Sequence, residues 1–184
     1  MPTGVALRDV RQQLFDAAER VLVRAGHNAL TSRAVTAEAD VAKGVLHRHF
    51  ADFDEFLAEL VRRRIAGLQA WGATMIEHAG TGTVAENIAD FLFGVFDRVG
   101  LGLVSLVIGR GELRARLQGS PGVPLLAEAA AVIAAYLSAE NRKNPDMLAL
   151  SLIGSAHLVF SEAGDETDPD RVRDLVSQLI ATGR

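Results

Sequence analysis

Apolar residues recur along this chain at intervals of three and four, with no sustained alternation, and the pattern predicts helix almost from end to end. Leu14, Ala17, Ala18, Val21, Leu22 and Ala25 mark the buried face of a first helix, which Gly26 stops. Thr31 is placed to cap a short second helix over 32–39, and Asp40-Val41 turns the chain into a third over 42–48. A long helix is expected from Asp52 or Phe53 to Ala79, ended by Gly80-Thr81-Gly82. Thr83-Val84-Ala85-Glu86 reads as a capping box, in which hydroxyl and carboxylate satisfy each other's backbone N–H groups, opening a helix to Val99. The run 101–117 predicts one more helix, weakened by its glycines, and 119–124 a break. Three helices follow near 124–139, 146–163 and 169–181, parted by Asn144-Pro145-Asp146 and the acidic stretch 165–168. The expectation is an all-α chain of about nine helices.

Composition narrows the class. At 184 residues and 49% hydrophobic, the chain can bury a sizeable core. It has no cysteine, which excludes a disulfide framework, a thiolate metal site and a cysteine nucleophile. The N-terminal segment reaches charge before any long apolar run, unlike a secretory signal. The longest apolar stretch, Leu101 to Ile108, is far shorter than the roughly 20 residues that cross a bilayer. A soluble, cytoplasmic protein without a membrane partner is expected. The net charge of −4 argues against a general polyanion binder, but the charge is uneven. Residues 1–64 hold ten Lys/Arg and nine Asp/Glu, leaving nine basic and fourteen acidic residues for 65–184. Contact with a nucleic acid therefore belongs in the first third.

Within that third, two short helices joined by a tight turn make a helix-turn-helix, a corner whose second helix fits the major groove. Val35, Ala39, Val41, Leu46 and Phe50 are spaced to face the first helix. Arg33, Lys43, Gly44, Val45, His47 and Arg48 are left to point outward. From Val41 to Phe50 the chain carries two cations, two histidines and no carboxylate, which suits phosphate contact with few base-reading side chains. His47 and His49 are two apart, so they diverge on a helix and do not make the usual metal pair. Arg62-Arg63-Arg64, on the long fourth helix, reads as a solvated face, with a face toward DNA or acidic partners as the alternative.

Here the sequence resembles the TetR family of transcriptional regulators over residues 8 to about 60, roughly a third of the chain. The resemblance rests on the apolar first helix Leu14–Gly26, on Thr31, on the turn Asp40-Val41, and on the ending His47-Arg48-His49-Phe50. It implies a helix-turn-helix DNA-binding domain over 1–52 and a helical-bundle ligand-binding and dimerisation domain over 53–184. It also implies a homodimer, associated through the last two helices, that binds a near-palindromic operator on double-stranded DNA and answers to a small-molecule effector, with repression as the default. Thr31, Arg33, Lys43, Gly44, Val45, His47, Arg48 and His49 are the expected DNA contacts. Four positions depart from the family pattern: Asp40 stands for the turn Gly, Ala42 for a capping Ser, His47 for a phosphate-contacting Tyr and Phe53 for a Lys. Asp52, Asp54 and Glu55 would also repel a nearby phosphate. These departures motivate a second reading, a TetR-fold small-molecule-binding protein with weak or lost DNA recognition.

The rest of the chain offers candidates for an effector cavity: Trp71, Met75, Phe91, Phe96, Arg110, Tyr136 and His157, with Phe93 and Glu112 nearby. Each is also an ordinary core residue type. Arg110 suits either an anionic ligand or an ion pair with Glu112 or a neighbouring helix. The segment 146–163 mixes bulky Leu148, Leu152, Val159 and Phe160 with small Ala149, Ser151, Gly154, Ser155 and Ala156. Leu175, Val176, Leu179 and Ile180 stripe the last helix, and together these suit a four-helix interface across a two-fold axis. No Gly-x-Ser-x-Gly, P-loop, His-Glu-x-x-His or dinucleotide fingerprint occurs, so no enzyme, cofactor or metal is expected.

Overall fold

The computed structural model describes residues 4–117, 123–163 and 166–182. The expected break at 119–124 falls largely outside them. Ten α-helices and one short 3-10 turn account for the described chain, and no strand occurs among its residues. The helices are α1 (Gly4–Ala25), α2 (Ser32–Glu38), α3 (Val45–His49), α4 (Phe53–Glu77), α5 (Val84–Val95), α6 (Arg98–Gly109), α7 (Gly111–Arg116), α8 (Pro124–Ala139), α9 (Pro145–Ala163) and α10 (Pro169–Thr182). Among the described residues no single helix is long and apolar enough to cross a membrane.

Local chemistry explains the boundaries, including those the periodicity misplaces. The capping box at Thr83 forms by half: its hydroxyl oxygen accepts from the Glu86 N–H, but the Glu86 carboxylate takes the hydroxyl proton rather than a backbone one. The helix it opens ends at Val95, short of Val99, because Asp97 starts another. The Asp97 side chain accepts from Gly100 N at 2.7 Å and its carbonyl from Leu101 N. The corner is tight enough that a Cβ on residue 100 would lie 1.9 Å from the Val95 carbonyl oxygen, which is why glycine stands there. The single helix expected over 101–117 is two. Arg110 leaves the helical region (φ −119°, ψ 101°) between Gly109 and Gly111, and its carbonyl restarts the chain as α7.

The chain divides into two compact units, one of residues 1–62 and 102–118, the other of 63–101 and 119–184. In the first, α1 packs on α2, and α2 on α3. Its centre is aromatic: Phe15 stacks on Phe56 with centroids 5.2 Å apart, and Phe50 meets both rings edge-on. Leu14, Leu22, Val35, Leu46 and Leu57 are also buried in this unit. In the second unit, α9 packs along α8, while α10 packs on α5 and α9. Phe91, Leu92, Ile133, Tyr136, Leu152, Val172 and Val176 are buried there. Gly72 on α4 faces Val132 of α8 so closely that a Cβ would lie 2.5 Å from the valine methyl.

Candidate nucleic-acid interface and effector cleft

In the first unit, α2 is capped as its sequence predicts: Thr31 Oγ1 accepts from Ala34 N at 3.1 Å. Its far end closes in a Schellman motif, with Val41 N donating to Thr36 O and Asp40 N to Ala37 O. That motif puts Asp40 at φ +52°, in the left-handed region where glycine is usual. Gln13 on α1 holds the same turn by donating to the Ala39 carbonyl at 2.8 Å. The third helix is shorter than its pattern predicts. Residues 42–44 form a turn, α3 begins at Val45, and Gly44 provides no side-chain cap. At its end, Arg11 donates to the His49 carbonyl at 3.0 Å, lies 4.4 Å from the Phe50 ring centroid and ion-pairs with Glu59.

So mounted, the corner buries Val35, Ala39, Leu46 and Phe50 and half-buries Val41. Thr31, Arg33, Lys43, Gly44, His47 and Arg48 are exposed, while Val45 and His49 are half-buried. No ion-pair partner is present for Arg33, Lys43 or Arg48 among the described residues.

The acids at 52–55 beside this surface are neutralised, which local sequence does not predict. Arg116 on α7 pairs with Asp52 at 2.5 Å and Glu55 at 3.3 Å, and Arg110 pairs with Asp54 at 2.7 Å. The Asp52 carboxyl is held below its usual range, chiefly because it accepts the Glu55 N–H and then through Arg116. Of the arginine run, Arg62 and Arg63 are exposed as expected and only Arg64 is drawn in. Arg62 donates to the Arg116 carbonyl at 2.8 Å; Arg64 donates to the Gly94 carbonyl and pairs with Asp97 at 2.8 Å.

In the second unit a cleft of about 240 Å³ opens along α4 and α5. Trp71, Thr74, Met75 and His78 line it at helical spacing, together with Thr81, Asn87 and Asp90. Trp71 meets Phe91 edge-on at 5.2 Å. Behind the cleft, Asn87 donates to Thr81 O and to the Tyr136 hydroxyl at 2.7 Å, and Glu140 accepts from Gly80 N. Burial holds the Tyr136 phenol above its ordinary pKa. Trp71, Met75, Phe91 and Tyr136 thus gather at or next to the cleft. Phe96 and His157 do not: they stack on each other at 5.8 Å, in a cluster with Phe93 and Phe160. Arg110 belongs to the first unit, committed to Asp54, and Glu112 is exposed. Sequence reasoning missed Asp90, Asn87 and Thr74, which are ordinary helix-surface residues until α4 and α5 are paired. No cluster of three His, Asp or Glu side chains able to hold a metal occurs among the described residues.

Residues 14–60 match the model of the tetR family of bacterial regulatory proteins. A member of the TetR family from Streptomyces coelicolor is 26% identical, covering 93% of this chain and 98% of that one, with a TM-score of 0.66. Residues 14–60 thus match the TetR family's N-terminal domain, and the chain resembles TetR-family structures over nearly its whole length. The multidrug binding protein EbrR, in its complex with ethidium, is also 26% identical, with 92% and 98% of the two chains covered and a TM-score of 0.63. An uncharacterized HTH-type transcriptional regulator of Haemophilus influenzae is 34% identical over 58 residues, which is 32% of this chain and 31% of that protein's length. The matched stretch of the TetR-family model carries the helix-turn-helix, Asp40 and the paired acids of α4.

Proposed function

We propose that this TetR-like chain is a ligand-responsive transcriptional regulator, acting as a repressor that binds a near-palindromic operator as a homodimer. The observation that carries the reading is the surface of α3 and its turn. Lys43, His47 and Arg48 stand exposed, with Arg33 exposed on α2, while the acids at 52–55 are paired to Arg110 and Arg116, leaving Asp40 of the turn as an exposed acid on this surface. Arg33, Lys43 and Arg48 would hold phosphates, Thr31, His47 and His49 would add hydrogen bonds, and Gly44 and Val45 would let the helix approach base edges.

The self-association reading is supported by α9. Met147, Leu150 and Leu158 are 60–64% exposed along one face, interrupted by Ser151 and Gly154, and a Cβ on Gly154 would meet open space. An apolar stripe with small residues suits close packing against a second copy, and α9 with α10 would form the four-helix seam. Two recognition helices related by a two-fold would then read half-sites about 34 Å apart, one turn of DNA. The body would bind the effector, as EbrR binds imidazole, malachite green and ethidium. An inducer must favour the state that does not hold DNA, and DNA must weaken its binding in return.

Selection from a pool of random duplexes, followed by titration of the selected duplex at two salt concentrations, tests the reading. The expected result is an enriched inverted repeat whose affinity falls steeply with salt. Absence of any enriched sequence favours the second reading, a small-molecule-binding protein without operator recognition, which the uncapped, five-residue α3 supports.

A further inference from the structure

We propose that the cleft along α4 and α5 binds a small aromatic cation, its charge held between the Trp71 indole and the Asp90 carboxylate. This deepens the effector reading above, and rests on it for the regulatory consequence alone.

Several polar groups lining the cleft already have partners within the protein. The Thr74 hydroxyl donates to Ala70 O, the His78 Nδ1–H to Thr74 O, and the Asn87 amide to Thr81 O and Tyr136. What remains for a guest is the carboxylate of Asp90, the ring of Trp71 and the thioether of Met75, with His78 Nε2 and the Asn87 amide oxygen as further neutral hydrogen-bonding groups. Asp90 is exposed and has no ion-pair partner among the described residues, whereas Asp97, farther along, pairs with Arg64. No lysine or arginine lines the cleft. An anion would meet uncompensated negative charge there, and a cation would supply the missing partner.

Trp71 is held in a way that keeps it available. Its six-membered ring rests on α5 at Gly94, where a Cβ would come within 1.9 Å of Cζ3, and Phe91 buttresses it edge-on. The indole nevertheless stays 41% exposed, a large share for tryptophan, on the helix face that lines the cleft. An immobilised, electron-rich ring beside an unpaired carboxylate is the pairing that recognises an organic cation. The volume of about 240 Å³ fits one or two fused rings.

Trp71 is the only tryptophan in the chain, so its fluorescence reports the cleft directly. Three probes of similar size separate charge from shape: N-methylquinolinium, neutral 1-methylnaphthalene and anionic 1-naphthoate, each followed by fluorescence and by calorimetry on the full chain. Saturable binding in the order cation, neutral, anion is expected. Asp90→Asn, an exposed change, should lower cation affinity about threefold and leave the neutral probe unchanged. Trp71→Phe should lower cation affinity by a similar factor, about threefold, by calorimetry. Equal binding of cation and neutral probe, an unmoved Asp90→Asn variant, or quenching that never saturates would each overturn the proposal. A further arm adds the cation to the complex with selected DNA. Saturable cation binding without DNA release refutes the effector role and leaves the cleft's ligand class standing. Sequence-specific DNA binding without any cation binding refutes the cleft proposal and leaves the regulator reading intact.

Discussion

Arg110 and Asp54 form a two-pronged contact, Nη2 to Oδ1 at 2.7 Å and Nε to the same oxygen at 2.9 Å. The Asp54 side chain is only 13% exposed, and the guanidinium also lies 5.9 Å from the Phe53 ring centroid. An arginine that the sequence offers to a ligand is thus used to neutralise an acid at the start of α4. Arg110→Gln should cost about 1–2 kcal/mol, because it strands a mostly buried carboxylate. Urea unfolding followed by circular dichroism measures this; a change below a few tenths would show that Asp54 is satisfied by water.

The acid limb of stability should follow two other carboxylates. Glu38 is held below the usual range, first by its hydrogen bond from Arg24 and then by that from Arg20, and Asp52 is lowered as described above. Both bind protons less tightly folded than unfolded. Their stabilisation is therefore complete above the unfolded carboxylate range, about pH 4, and is lost as pH falls through the depressed folded values. Thermal melts between pH 7 and 3 should show a midpoint that declines on the acid side. Glu38→Gln with Asp52→Asn should flatten that decline, and parallel curves would contradict the assignment.

Asp40 occupies the left-handed position of the turn at φ +52°. Asp40→Val should destabilise by about 1–2 kcal/mol because a β-branched residue resists that region. Asp40→Gly should be neutral or stabilising. The same unfolding assay reads both, and equal effects of the two substitutions would mean that the turn adopts another conformation.

Lys43 has no carboxylate partner among the described residues. Lys43→Ala should weaken DNA binding by a similar factor on every sequence and lower the salt slope by about one. Loss confined to one base position would instead make Lys43 a base reader.

Leu150 and Leu158 on α9 are 61% and 60% exposed. Leu150→Glu with Leu158→Glu should yield a folded monomer in sedimentation velocity if that face joins two copies. A dimer that survives both changes places self-association elsewhere.

The helix-turn-helix was legible in the sequence because its determinants are local. Thr31 caps the residues that follow it, the Schellman turn is written within 36–41, and the apolar spacing of Val35, Ala39 and Leu46 fixes which face is buried. The same locality made Trp71 and Met75 fair candidates for a cleft, since both lie on one face of α4. What only the tertiary structure decided were pairings between distant segments. The acids at 52–55 look repulsive to DNA until Arg110 and Arg116, more than fifty residues later, are brought against them. Asp90 gains meaning only when α5 lies along α4, and Arg64 loses its solvent face to a carbonyl 30 residues away. Helical periodicity specifies the direction of a side chain from its own axis, and therefore what is buried. It carries no information about which helix arrives opposite, and charge is compensated only by what arrives.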